Sequence, residues 1–249
     1  MTNDNHIPTT NWNPSSGLKL ALLLGLWFAL AAVAGMTGMF AVGPEQLARP
    51  VLLTILAPVA LFLAACAGSG EFRKYILSRD IRLLTMMQSW RVIGFAFLPL
   101  YAYEVLPGLF AWPAGLGDIA VGLSAPLVVW TLMHNPNFAA SRGFIVWNLL
   151  GLLDFAVAGV TSTLASGAVA GLVSGSLTGA PMEVWPLFLF PAFIVPLFMM
   201  LHLTALFQVW PSRQAKTLAP AREGSTRPVN RLNRAVSMVI YGQGFAPHP

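Results

Sequence analysis

Apolar residues fall into six long runs, at 18–42, 50–68, 84–105, 113–133, 143–165 and 184–209, separated by short polar or turn-forming stretches. Each run matches the roughly 20 residues that carry a helix across about 30 Å of hydrocarbon at 1.5 Å per residue. None shows the period-two alternation of a membrane β-barrel strand, and a backbone group left unpaired in lipid is heavily penalised, so the pattern predicts helices. Turn signals mark the boundaries: Arg49-Pro50, Leu106-Pro107-Gly108 and His134-Asn135-Pro136-Asn137. Trp12, Trp112, Trp130, Trp185 and Trp210 lie near the ends of the runs, where an amphipathic indole meets the membrane interface. The expected fold is all-α, an integral membrane bundle of six transmembrane helices over 18–210. A polar leader at 1–17 precedes it and a basic tail at 211–249 follows. Within the tail, Val229, Leu232, Val236, Val239 and Ile240 recur at helical spacing among Asn230, Arg231 and Arg234, which suits a helix lying on a membrane surface; a frayed tail is the alternative.

Composition agrees with this reading. With 56% hydrophobic and only 9% charged residues, the chain has too little polar surface to cover a water-soluble domain of its length. The single cysteine and four scattered histidines exclude an intrachain disulfide and a Cys/His zinc site, and no cofactor is expected. Neither HExxH nor a Ser/His/Asp set at usable spacing occurs, so a non-enzymatic role is favoured. Ala32-Val33-Ala34 resembles a signal-peptidase site, but the apolar run continues to Val42 and an uncleaved first helix is expected.

Charge sets the orientation. In a six-span arrangement Lys19, the cluster Arg73, Lys74, Arg79 and Arg82, then Arg142 and the basic residues of the tail all fall on one side; Arg49 falls on the other. The positive-inside rule therefore predicts that both termini are cytoplasmic, N-in and C-in. Because these cations border membrane spans, the net charge of +5 points to an anionic inner leaflet as the partner rather than to nucleic acid. A homo-oligomer or a larger membrane complex stays open.

Candidate chemistry lies in the polar residues stranded within the runs, since Arg or Asp at a helix centre costs about 2.5–3.5 kcal/mol on insertion scales and normally faces a partner. They are Gln88 and Arg91 in span 3, Asp118 in span 4, Asn148 and Asp154 in span 5, and His202 in span 6. At 1.5 Å per residue, Arg91 lies about 12 Å from the inner end of its run, Asn148 about 8 Å, His202 about 10 Å and Asp154 about 17 Å. Gln88, Arg91, Asn148, Asp154 and His202 thus form an intramembrane polar layer in which Arg91 reaches Asp154. Asp118 is grouped with Glu104 and Glu183 as an outer-side acid, and a stepped line Asp118–Asp154–His202 suggests a proton or cation route. The alternative is that the layer only ties helices together. Gly115-Leu-Gly-Asp118 and Gly151-Leu-Leu-Asp154 both place a glycine three residues before the acid, which favours close helix approach. Pro191 and Pro196 each remove a backbone hydrogen bond within the last run and predict a kinked helix.

The segments QSWRVIG (88–94), LPGLFAWPAGLGD (106–118) with Ala125-Pro126 following, WNLLGLLD (147–154) and the proline-laden last span resemble a family of uncharacterised bacterial inner-membrane proteins over roughly 84–210. The resemblance implies a multi-pass protein of a bacterial inner membrane and brings no activity. The functional expectation is a small-solute or ion- or proton-linked permease built on the polar layer, with a non-transporting subunit that anchors or stabilises a larger membrane complex as the alternative. Orientation is directly testable: in a Cys66→Ser background, Ile76→Cys and Lys216→Cys should resist an impermeant thiol reagent in intact cells and Ser174→Cys should react. Equal labelling of positions 76 and 174 would mean a miscounted span or an inverted topology.

Overall fold

A computed structural model describes residues 14–42, 49–166 and 177–218, with side chains over 17–42, 50–166 and 177–209. Trp12, the 229–240 tail segment and the side chains of Arg49 and Trp210 lie outside the described residues. The chain divides at residue 209; beyond it only the continuation of the last helix to Leu218 is described.

All regular structure among the described residues is helical. α1 covers Pro14–Thr37, α2 Arg49–Gly68, α3 Gly70–Leu77, α4 Ile81–Met87, α5 Phe97–Ala102, α6 Gly108–His134, α7 Arg142–Leu164 and α8 Val195–Leu218. A 3-10 segment, Gln88–Ala96, joins α4 to α5, and a π-helical turn, Phe190–Ile194, opens the way into α8. Six stretches are long and apolar enough to cross a membrane: 17–37, 50–68, 81–102, 108–134, 142–164 and 190–209. This is a multi-pass membrane protein. The amphipathic α3 has no counterpart in the sequence reading; its N-terminus is capped by Ser69, whose hydroxyl accepts from the Phe72 N–H at 3.2 Å.

Burial is inverted relative to a water-soluble protein. Leu22, Leu61, Leu123, Leu127 and Trp130 point outward and are largely exposed, as a lipid-facing surface requires, whereas the most deeply buried large side chains include Arg91, His202, Gln88 and Asn148. Successive spans alternate in direction. One end of the bundle carries the loops with Glu104 and Glu183, here the glutamate end; the other carries Arg73 to Arg82 and Arg142, here the basic end. The Gly35 carbonyl accepts from the Trp185 N–H at 3.0 Å at the first, and the Arg79 carbonyl accepts from the Gln208 amide at 2.9 Å at the second. Phe97, Leu106, Phe110, Met182 and Phe190 pack together at the glutamate end, and Leu132, Phe144, Ala205 and Val209 at the basic end.

Spans 3, 4 and 5 form the tightly packed part. The irregular stretch of span 3 explains how: Gln88, Arg91, Gly94 and Phe97 are all buried. A repeat of three is the period of a 3-10 helix, in which side chains at i and i+3 eclipse, so these four residues make one straight row facing the interior. Span 4 meets that row with glycines. A Cβ on Gly122 would come within 2.6 Å of the Val92 backbone nitrogen, and one on Gly115 within 3.2 Å of the Gly94 carbonyl oxygen. The packing role expected of glycine beside the acids is therefore seen. In the last span Pro191 lies inside the π turn and Pro196 in the first turn of α8.

Because the Gly122 contact is with backbone, no side chain can yield to a methyl group there. Gly122→Ala should lower stability in detergent by about 1–3 kcal/mol through overpacking. Gly25→Ala, with nothing within 4 Å of the added carbon, should be neutral or slightly stabilising. Denaturant unfolding of the two variants measures the contrast, and equal stability of both would remove the close seam between spans 3 and 4.

Candidate functional site: a buried arginine shared by two aspartates

The guanidinium of Arg91 sits at the centre of the bundle with no exposed side-chain surface. Its Nε donates to Asp118 Oδ1 at 2.7 Å, and its Nη2 donates to Asp154 Oδ2. Its Nη1 donates to the Gly151 carbonyl at 3.2 Å and to His202 Nε2 at 3.1 Å, while Phe155 lies flat beneath the guanidinium carbon, 4.0 Å from ring centroid to Cζ. Spans 3 to 6 thereby each contribute a group to one hub around the Arg91 guanidinium.

The histidine tautomer follows from the chain of donors. Arginine can only donate, so His202 Nε2 must present its lone pair and the proton must sit on Nδ1. Nδ1 lies 2.9 Å from Asn148 Oδ1, a fitting acceptor, since the Asn148 amide nitrogen is committed to the Phe144 carbonyl at 2.9 Å. The imidazole is thus neutral and held between the edges of Trp147 and Phe155, with ring centroids 5.4 and 6.5 Å away. Trp147 Nε1 in turn donates to Ser124 Oγ at 2.9 Å. Gln88 closes the layer toward the basic end by donating to the Phe198 carbonyl at 3.3 Å; its Oε1 is buried without a partner among the described residues.

Asp118, Asp154 and His202 each occupy a notch left by a glycine on the neighbouring helix. Cβ atoms added at Gly94, Gly117 and Gly151 would collide with Asp118, Asp154 and His202 respectively. These three glycines, together with Trp147, complete the site, as do Ser124 and Phe155, which were not singled out from the sequence. The glycine-before-acid spacing was visible, but which acid fills which notch depends on how the helices are rotated.

Of the expected site residues, the structure brings Gln88, Arg91, Asn148, Asp154 and His202 into one connected region and adds Asp118 to it. The grouping of Asp118 with the outer-side acids is corrected: α6 begins at Gly108 rather than at 113, so Asp118 lies ten residues into its span, about 15 Å from the end and level with Arg91. Arg91 also interrupts the stepped line from Asp118 to Asp154 to His202, because all three contact the guanidinium instead of one another. Glu104 is exposed at a positive φ of 57° and Glu183 is buried, and both are away from this centre. Glu183 accepts from the Val42 N–H at 2.8 Å and fastens the end of the α1 segment; burial raises its carboxyl above the ordinary range, and the Val42 hydrogen bond opposes this. Cys66 is a free, buried thiol in α2.

A cavity leads to the carboxylates from the glutamate end. It has a volume of about 70 Å³. Arg91, Asp118 and Asp154 form its floor, Phe97, Phe110 and Phe190 are among its walls, and Ser162 and Thr163 lie at the glutamate-end turn of α7. The carboxylates face it, with side chains 13% and 11% exposed for Asp118 and Asp154. Among the described residues no group of three or more His, Cys, Asp or Glu side chains is placed to hold a metal ion.

A family described as "Domain of unknown function (DUF8737)" matches residues 48–210, more than half of the chain and every residue of the hub. The chain belongs to that family. The DUF8737 region begins before span 2, so it extends further toward the N-terminus than the resemblance over 84–210 implied. No curated protein and no solved structure matches the chain.

Sharing one arginine between two aspartates changes what mutation should do. Arg91→Gln leaves two carboxylates uncompensated in low dielectric and should cost about 3–5 kcal/mol, more than Asp118→Asn or Asp154→Asn alone. Adding Asp154→Asn to Arg91→Gln should recover part of the loss, and adding Asp118→Asn as well should recover most of it. Unfolding in detergent across this set measures the coupling. Strict additivity, within about 0.5 kcal/mol, would mean that the three groups do not interact.

Proposed function

We propose that this protein is a permease for a small solute, linked to a proton or cation, whose binding step occurs at the Arg91–Asp118–Asp154 centre. The single supporting observation is the cavity, which ends on the two carboxylates rather than stopping short of them. One guanidinium against two carboxylates leaves a formal charge of −1 at the floor. An uncompensated charge at this depth is expensive, so the centre attracts one positive charge, a proton or another cation. A group that only tied helices together would not need an approach path.

The cavity occupies one half of the bundle. The other half is filled by the Gln88, Asn148 and His202 hydrogen bonds and by the Leu132, Phe144, Ala205 and Val209 cluster. Transport then requires a second arrangement in which the basic end opens. Two irregular segments flank the cavity and are suited to such a change: the 3-10 stretch carrying Arg91 and the π turn carrying Pro191. The reading of an inner membrane with both termini cytoplasmic makes the glutamate end the outer face. The non-transporting alternative draws support from the near-complete satisfaction of the polar layer, in which Gln88 Oε1 is the one orphan reported among the described residues.

The two readings differ in what the sealed half does. In membrane vesicles of a Cys66→Ser background, Ser162→Cys should react with a small impermeant thiol reagent from the glutamate end. Under turnover, Ala205→Cys, now buried, should react from the basic end. Reaction at 162 with permanent protection at 205, in vesicles of both orientations, would leave a binding or anchoring protein and reject the permease.

A further inference from the structure

Resting on the binding step proposed above, the chemistry of the cavity narrows its ligand: we propose that it accepts a monovalent organic cation with an apolar body, the charged head on Asp118 and Asp154 and the body against the phenylalanine walls. Three features converge. The first is the formal charge of −1 on a floor where Arg91 is committed to both acids and fully buried, while the carboxylates retain exposure toward the cavity. A cationic head completes the charge balance; an anion would meet the carboxylates before it met the arginine.

The second feature is the wall. Phe97, Phe110 and Phe190 pack with ring centroids 5.3 and 4.7 Å apart, and aliphatic side chains such as Ile55, Ile194 and Val195 line the same space. Aromatic faces attract a cation and tolerate an apolar substituent equally well. The third is what the cavity lacks as a metal site. A hard inorganic cation takes about six or more oxygen ligands, or keeps its waters, and the lining here is predominantly hydrocarbon with two carboxylates at one end. A proton alone would balance the charge but would make no use of the phenylalanine and aliphatic walls in front of the carboxylates.

The titratable and charged groups facing the acids are Arg91 from span 3, the two aspartates themselves from spans 4 and 5, and His202 from span 6; span 2 contributes Val51, Leu52 and Ile55. A proton and the organic cation therefore compete for one negative charge, and the cation binds more weakly as pH falls.

Benzyltrimethylammonium, its neutral carbon isostere neopentylbenzene and the anion benzenesulfonate test this by calorimetric titration of the full-length protein in nanodiscs. Saturable binding of one benzyltrimethylammonium per chain is expected, with none for the other two. Affinity should fall about tenfold or more in Asp154→Asn, as expected for removing the partner of a buried charge. Ser162→Trp, which narrows the mouth and leaves the charges in place, should also weaken binding, so a folding defect in the aspartate variant does not decide the matter. Binding of neopentylbenzene as tight as that of the cation would overturn the proposal in favour of an apolar pocket. Absence of binding by all three probes would overturn it in favour of a proton-only centre. Cation binding with Ala205→Cys inert would reject the permease and keep the site, whereas a reactive Ala205→Cys without cation binding would reject this inference alone.

Discussion

An arginine guanidinium in the middle of an apolar bundle sets the terms for the rest of the structure. With five N–H donors and no acceptor, it can be satisfied only by groups that accept. Arg91 must be supplied with acceptors where it stands. Two carboxylates, a carbonyl and an imidazole lone pair do this, each from a helix that has to approach closely enough to deliver it. The fold around spans 3 to 6 is the set of backbone positions that permits this approach.

Glycine and the 3-10 stretch are the means. In a membrane no hydrophobic force draws one helix onto another, and association depends on close packing and interhelical hydrogen bonds. Gly94, Gly117 and Gly151 open notches for Asp118, Asp154 and His202, and Gly122 lets span 3 lie against span 4 backbone to backbone. The period of three in span 3 keeps Gln88, Arg91, Gly94 and Phe97 in one row. In an α-helix that row would drift around the axis by about 60° per step of three residues, and Gln88 and Phe97 would end on opposite faces. The polar contacts and the small residues are therefore one feature, and neither is interpretable without the other.

Much of this was legible from hydropathy and depth. A run of apolar residues specifies a span, and a charge within it must be buried and paired, so the partnership of Arg91 with Asp154 could be anticipated from their distances along the chain. Asp118 was misassigned because Pro113 was taken as the start of its span, whereas α6 begins five residues earlier and carries Pro113 within its early turns. Moving the start by that amount adds about 7.5 Å of depth and puts Asp118 level with Arg91. Rotation about each helix axis was not legible at all. Hydropathy gives depth, but almost every face of a membrane helix is apolar, so the sequence does not reveal which face meets which neighbour. That is why the pairing of glycines with acids and the position of His202 against Arg91 emerged only in three dimensions.

The two halves of the bundle differ in a way the hub itself requires. Toward the basic end hydrogen bonds and packing hold the hub: Asn148 orients His202, His202 accepts from Arg91, and an apolar cluster closes the space behind them. Toward the glutamate end a cavity lies in front of the carboxylates, walled by the cluster of Phe97, Phe110 and Phe190. Had the sole demand been to neutralise Arg91, one aspartate would have sufficed, and the space in front of it could have been filled with leucine as it is elsewhere in the protein. A second aspartate makes the centre anionic, and leaving both acids accessible makes that charge available to something that enters. The excess carboxylate and the unfilled space are each unfavourable alone, and together they are what a binding site for a positive group requires.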